Sequence, residues 1–185
     1  MAETARRARM SADEFFAWAA EEAVGRFELS RGEVVAVSPE GLAHVRAKRR
    51  AANALDAAAA AAGLPCEAFA DGVAVRVDDV TLYEPDASLR CGATAPDEAV
   101  FISDPVVLVE VVSRSTRSLD SGVKLSDYFR LPSVSHYLII NPEARMVIHH
   151  SRGGGDEIMA RILRGGTLRL DPPGLELPLE ALFGG

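Results

Sequence analysis

The stretch Pro105-Val106-Val107-Leu108-Val109-Glu110-Val111-Val112 decides how this chain folds, because one glutamate interrupts an otherwise apolar run of strand-forming residues. Side chains alternate across a strand, so Val106, Leu108, Glu110 and Val112 share one face and Val107, Val109 and Val111 the other. A strand apolar on both faces belongs inside a sheet covered above and below. An unpaired carboxylate there would cost several kcal/mol. Glu110 therefore calls for a cation, unless the end of the strand emerges into water.

Outward from this strand, an α/β (α+β) pattern emerges. Ser11 and Glu14 have the form of a capping box, and Phe15, Trp18 and Ala19 follow at helical spacing, predicting a helix over 12–22. Residues 26–29 and 33–37 flank Ser30-Arg31-Gly32 and read as a hairpin. Residues 42–62 are alanine-rich, free of Gly and Pro, and ended by Gly63, which predicts a long helix able to lie close to a sheet. Residues 66–69 and 73–77 read as a second hairpin through Asp71-Gly72, and 85–89 as a short strand. Ser118 or Asp120 caps a helix running to about Arg130, closed by Leu131-Pro132. Strands are expected at 136–140, 145–150, 157–163 and 167–170, forming C-terminal β-hairpins divided by Asn141-Pro142, Gly153-Gly154-Gly155 and Gly165-Gly166. The closing LELPLEALF reads as a short helix docking through Leu179, Leu182 and Phe183.

With 185 residues, 48% of them hydrophobic, the chain suits one domain over 1–185, with 1–10 flexible. No apolar run approaches the ~20 residues of a membrane helix, and no secretory signal is recognisable, so a cytoplasmic protein is expected. Cys66 and Cys91 fall in no CxxC or Cys/His pattern and read as reduced thiols. His149 and His150, adjacent in a strand, point to opposite faces and cannot chelate one ion together. His44 and His136 stand alone in the sequence.

The net charge of −7 argues against non-specific coating of nucleic acid. It leaves room for a local basic site. Arg46, Lys48, Arg49 and Arg50 cluster on the long helix, where Arg46, Arg49 and Arg50 share a face and form a candidate nucleic-acid contact.

Asp86, after Pro85, and Glu110 each lie on or beside a predicted strand. If those strands pair, two carboxylates converge as Mg²⁺ or Mn²⁺ prefers. Lys124 stands one helical turn from both Asp120 and Tyr128, and could serve such a pair or merely form a surface ion pair with Asp120.

The ordered set Phe27-Glu28-Leu29 with Gly32-Glu33, His44, Pro85-Asp86, Glu110-Val111-Val112-Ser113 with Ser115-Thr116, Asp120, Lys124 and Tyr128 resembles the Uma-type restriction endonuclease family, a branch of the PD-(D/E)XK nuclease superfamily. The resemblance runs from about Met10 to Ser151. It implies a restriction-endonuclease-like core, a mixed central β-sheet flanked by helices, and divalent-metal-dependent cleavage of DNA phosphodiesters. It also implies roles: Asp86 and Glu110 as metal ligands, Glu28 as a third acid, and Lys124 as the catalytic amine. The lysine that usually follows the glutamate by two residues is replaced by Val112. Two other classes stay open, a non-catalytic nuclease-fold module for nucleic-acid or protein interaction and a hydrolase of other phosphate esters. Cutting both strands of a duplex is simplest for a homodimer.

Overall fold

The computed structural model describes residues 9–21, 24–112 and 120–184. Its central layer is a six-stranded mixed sheet built around the apolar strand that carries Glu110. In chain order the elements are α1 (Ala12–Glu21), β1 (Arg26–Ser30), β2 (Glu33–Val37), α2 (Leu42–Ala62), β3 (Cys66–Ala70), β4 (Ala74–Asp78), β5 (Thr81–Tyr83), β6 (Ala87–Cys91), β7 (Phe101–Ile102), β8 (Pro105–Val111), α3 (Asp120–Tyr128), β9 (His136–Asn141), β10 (Met146–Arg152), β11 (Ile158–Leu163), β12 (Thr167–Leu170), β13 (Leu175–Pro178) and α4 (Glu180–Phe183).

The six strands run β11-β10-β9-β8-β6-β3, with β8 and β9 parallel and the other neighbours antiparallel. β8 is thus interior, as its two apolar faces require. Val107, Val109 and Val111 pack with Ala51, Leu55, Ala58 and Ala59 of α2, where alanine allows close approach. Leu108 faces the opposite core with Val75, Tyr83, Ile102, Tyr128 and Tyr137. That second core is closed by α3 and by a five-stranded sheet, β2-β1-β5-β4-β7. On that sheet α1 buries Ala12 and Phe15 against Leu29 and Leu82. None of the described helices is long and apolar enough to cross a membrane.

Local signals held at α1, where Ser11 and Glu14 bond each other's backbone N–H reciprocally. They held in the first hairpin, where Arg31 and Gly32 carry φ of 52° and 85°, as a two-residue turn of this hand requires. They held again at the end of α2, where Gly63 is left-handed at φ 63°.

Tertiary partners overrode other expectations. β3 and β4 do not form a hairpin: Asp71-Gly72 turns the chain, but β3 pairs with β6 and β4 with β5, so the turn carries it from one sheet to the other. The strand expected at 85–89 begins and ends two residues later. The expected thiols are a disulfide, because β3–β6 register sets Cys66 directly opposite Cys91, a proximity that no spacing motif encodes. Half of the C-terminal helix is strand: Leu175 and Leu177 are buried while Glu176 and Pro178 are exposed, a period of two, and only residues 180–183 are helical. The expected buried anchors Leu179, Leu182 and Phe183 are in place. The short strands β5 and β7 carried too few residues to be read. Met10 donates its N–H to Gly32 at 2.9 Å, and the first eight residues of the segment expected to be flexible lie outside the described ones. Ser113, Ser115, Thr116 and Ser118, and the side chain of Asp120, also lie outside them.

Candidate active site

Register places the first two acids. β6 pairs antiparallel with β8 through Ala87↔Val109, and one further step sets Asp86 beside Glu110. The Asp86 carboxylate is anchored there, accepting the N–H of Val111 at 2.6 Å. Both acids line a cavity of about 550 Å³, shared with Glu28, Glu40, His44, Lys48 and Lys124.

Glu110 lies on the Leu108 face of β8 and so points toward α3. Lys124 Nζ donates to Glu110 Oε1 at 3.1 Å and to Glu28 Oε1 at 2.9 Å, and Tyr128 donates its hydroxyl to Glu110 Oε1 at 3.1 Å. Lys124 and Tyr128 of the stripe read on α3 therefore face inward, and both are buried. Glu28 is buried too, and accepts the N–H of Glu84 at 2.9 Å.

Burial pushes the Glu110 carboxyl up to about 7, with the negative charges of Asp86 and Glu28 adding to the rise and Lys124 opposing it. Asp86 goes the other way. Burial opposes its ionisation, yet hydrogen bonds from His44, Lys48 and Val111 hold its carboxyl below the ordinary aspartate range. Two acids side by side are thus driven in opposite directions, a pattern typical of reactive centres.

Lys48 is the residue that sequence reasoning placed elsewhere. Its place among the arginines of α2 suggests a solvated face, yet its side chain is 2% exposed and its ammonium lies 2.8 Å from Asp86, 2.6 Å from Glu40 and 3.3 Å from Asp71. The signal available was the spacing of Glu40, His44 and Lys48, four residues apart, around the start of a helix. His44 is likewise not alone, with Nε2 3.5 Å from Asp86 and 3.6 Å from Glu40. The hydrogen bond to Asp86 raises its pKa. Among the described residues, the donor atoms of Glu40, His44 and Asp86 lie within 4.8 Å of one another, close enough to share an ion.

The predicted basic face divides. Arg46 and Arg49 are exposed, whereas Arg50 turns toward the C-terminal segment and donates to Leu182 O at 3.4 Å. Val112 lines the cavity where the usual lysine would stand, and donates its N–H to Ile140. The two histidines of β10 separate as expected, with His149 buried and His150 on the other face. His136 also finds a partner, its Nδ1 lying 2.9 Å from His149 Nε2.

Carboxylates with a single imidazole match the hard oxygen preference of Mg²⁺ and the wider tolerance of Mn²⁺. Burial, with the negative charges of Asp86 and Glu28 beside it, lifts Glu110, and a doubly charged cation would offset both. The residues present fit such an ion.

Comparison with known proteins agrees with this architecture. A protein of Synechocystis sp., named only as uncharacterised, is 25% identical over 183 residues, covering 96% of this chain and 93% of its own. The crystal structure of a "putative nuclease belonging to DUF820" from Anabaena variabilis superposes with a TM-score of 0.67 at 16% identity, over 94% of this chain and 97% of that one, so the two share a fold. The sequence profile of the Uma2 family, described as "Putative restriction endonuclease", matches residues 12–181, taking in both acids, both lysines and the sheets that carry them. This chain belongs to the Uma2 family.

Proposed function

We propose that the protein is a divalent-metal-dependent endonuclease that hydrolyses DNA phosphodiester bonds, with Asp86 and Glu110 as metal ligands and Lys124 as the catalytic amine. The observation that carries this reading is the Asp86 carboxylate locked against the Glu110–Val111 peptide, beside a buried ammonium shared by Glu110 and Glu28. When bound, Mg²⁺ or Mn²⁺ supplies Lewis acidity to the phosphate and lowers the pKa of water.

The chain's own residues do the rest. Lys48 and the Val111 N–H hold Asp86 ionised and immobile. Tyr128 fixes the rotamer of Glu110. Glu28 holds the Lys124 ammonium in place at 2.9 Å, so that it can stabilise charge developing on the phosphate or orient the attacking water. Glu40 and His44 extend the donor set on the far side of Asp86. The exposed Arg46 and Arg49 supply phosphate contacts at the surface of a chain that is otherwise acidic.

A second reading is favoured by one observation: lysines already neutralise both acids, Lys48 on Asp86 and Lys124 on Glu110. A non-catalytic module with this fold would need nothing more. Nicking of supercoiled DNA by purified protein in Mg²⁺ or Mn²⁺ separates the two. Glu110→Gln and Lys124→Met should each slow nicking by about 10² or more, typical of losing one electrostatic group from a reactive centre. Nicking that is absent from the native chain, or undiminished in both variants, rejects the endonuclease assignment.

A further inference from the structure

β11 is an edge of the six-stranded sheet, and Arg161 is the one charge that defends it. It contains no Pro, Lys or acid, and its register with β10 runs from Val147↔Leu163 to Arg152↔Ile158 without a bulge. Its side chains are largely exposed, among them Ile158 at 41%, Met159 at 55% and Ile162 at 66%. Ile158, Ala160 and Ile162 form an apolar stripe on one face, while Met159, Arg161 and Leu163 lie on the other.

This sequence is self-complementary. Two copies of β11 related by a two-fold axis perpendicular to the sheet, passing at Ala160, pair antiparallel with faces matched. Ile158 then meets Ile162 of the second copy, Ala160 meets Ala160, and Met159 meets Arg161. Just beyond the strand ends, Asp156 comes opposite Arg164 of the second copy, at both ends. Moving the axis by one residue loses this: centred on Arg161 it opposes two like charges, and centred on Met159 it pairs Glu157 with Arg161 but gives up both Ile158–Ile162 contacts and sets Asp156 against Ile162.

We infer that β11 is a dimerisation edge, whose occupant is β11 of a second copy of this chain, centred on Ala160. The joined sheet would have twelve strands. β8 lies three strands inward, so both cavities stay open.

The register is testable by cysteine cross-linking of the full chain. Residues facing each other across such a pair have Cβ atoms about 4.5–5.5 Å apart. The axis residue alone faces itself, so Ala160→Cys should yield a disulfide-linked dimer under mild oxidation. Ile162→Cys should not, its two copies being about 13 Å apart at ~3.3 Å per residue. Analytical ultracentrifugation should give twice 19.7 kDa for the native chain at micromolar concentration. It should give 19.7 kDa for Ile162→Lys, with circular dichroism verifying that the variant is folded. A monomeric native chain, a folded Ile162→Lys that still dimerises, or cross-linking through Met159→Cys or Ile162→Cys in preference to Ala160→Cys each overturns the inference.

Discussion

Burial and two neighbouring acids raise Glu110 to about 7 from an ordinary 4.5, so the folded protein holds this proton more tightly than the unfolded chain does. The group's contribution to stability is therefore full below about 4.5 and is lost as pH rises toward 7. In metal-free protein, Glu110→Gln should gain stability relative to the native chain across that window, read as a widening difference in urea midpoint. His149 behaves oppositely. His136 Nε2 must donate to Pro172 O at 2.8 Å, so His136 Nδ1 accepts from His149 Nε2, leaving His149 Nδ1 to accept from Arg161 at 3.2 Å. That chain closes only with both rings neutral, and burial, with the nearby His136 and Arg161, pushes His149 down to about 4. Stability from His149 is full above about 6.5 and falls as pH drops toward 4, and His149→Gln should flatten that fall in the same titration. At this scale the acids were legible, because a glutamate inside an apolar strand has few explanations. Lys48 was not: a lysine among arginines looks like a solvated face, and only the approach of Asp86 from another element reveals that it is buried.

Placing Lys124 is the work of α3 as an element. Asp127, one turn from both Lys124 and Arg130, is 1% exposed and receives the Tyr83 hydroxyl at 2.8 Å and Arg31 at 2.9 Å. Tyr83 also touches Ser30, at 3.2 Å, and lies beneath the Lys124 ammonium, 5.3 Å from its ring centre. The first hairpin and β5 thereby grip α3 at the height of the cavity. Asp127→Ala takes from the buried Tyr83 hydroxyl its acceptor at 2.8 Å, leaving only the longer contact to Ser30, and should cost about 1–3 kcal/mol in a urea melt. Elements with their own start and stop signals could be read from the chain, α1 from its capping box and α2 from its terminal glycine. Asp71-Gly72 predicts a turn, which is present, and a hairpin, which is not, since β3 and β4 pair with other strands. A turn fixes where the chain bends; the partners of β3 and β4 depend on Cys91, Arg90 and Leu82, which lie far along the chain.

Across the whole molecule, the alanine-striped α2 covers one face of the six-stranded sheet, the five-stranded sheet shares a core with its other face, and the cavity draws its lining from α2 and from both sheets. The tight helix-to-sheet spacing depends on small side chains: Ala51 is fully buried, so Ala51→Leu should destabilise by about 1–3 kcal/mol through overpacking, measured as the loss in unfolding free energy. The division of strands between two sheets could not be read from periodicity, since alternation tells which residues are inside but not which sheet they join. The convergence of Asp86, Glu110, Glu28 and Lys124 depends on that division. A Mn²⁺-soaked crystal measured at the manganese absorption edge tests the convergence most directly. The expected result is an anomalous peak within coordination distance of carboxylate oxygens from both Asp86 and Glu110, with the Lys124 ammonium beside it and the peak lost in Glu110→Gln. A peak held by Glu40, His44 and Asp86 without Glu110, or no peak at any of these acids, contradicts it.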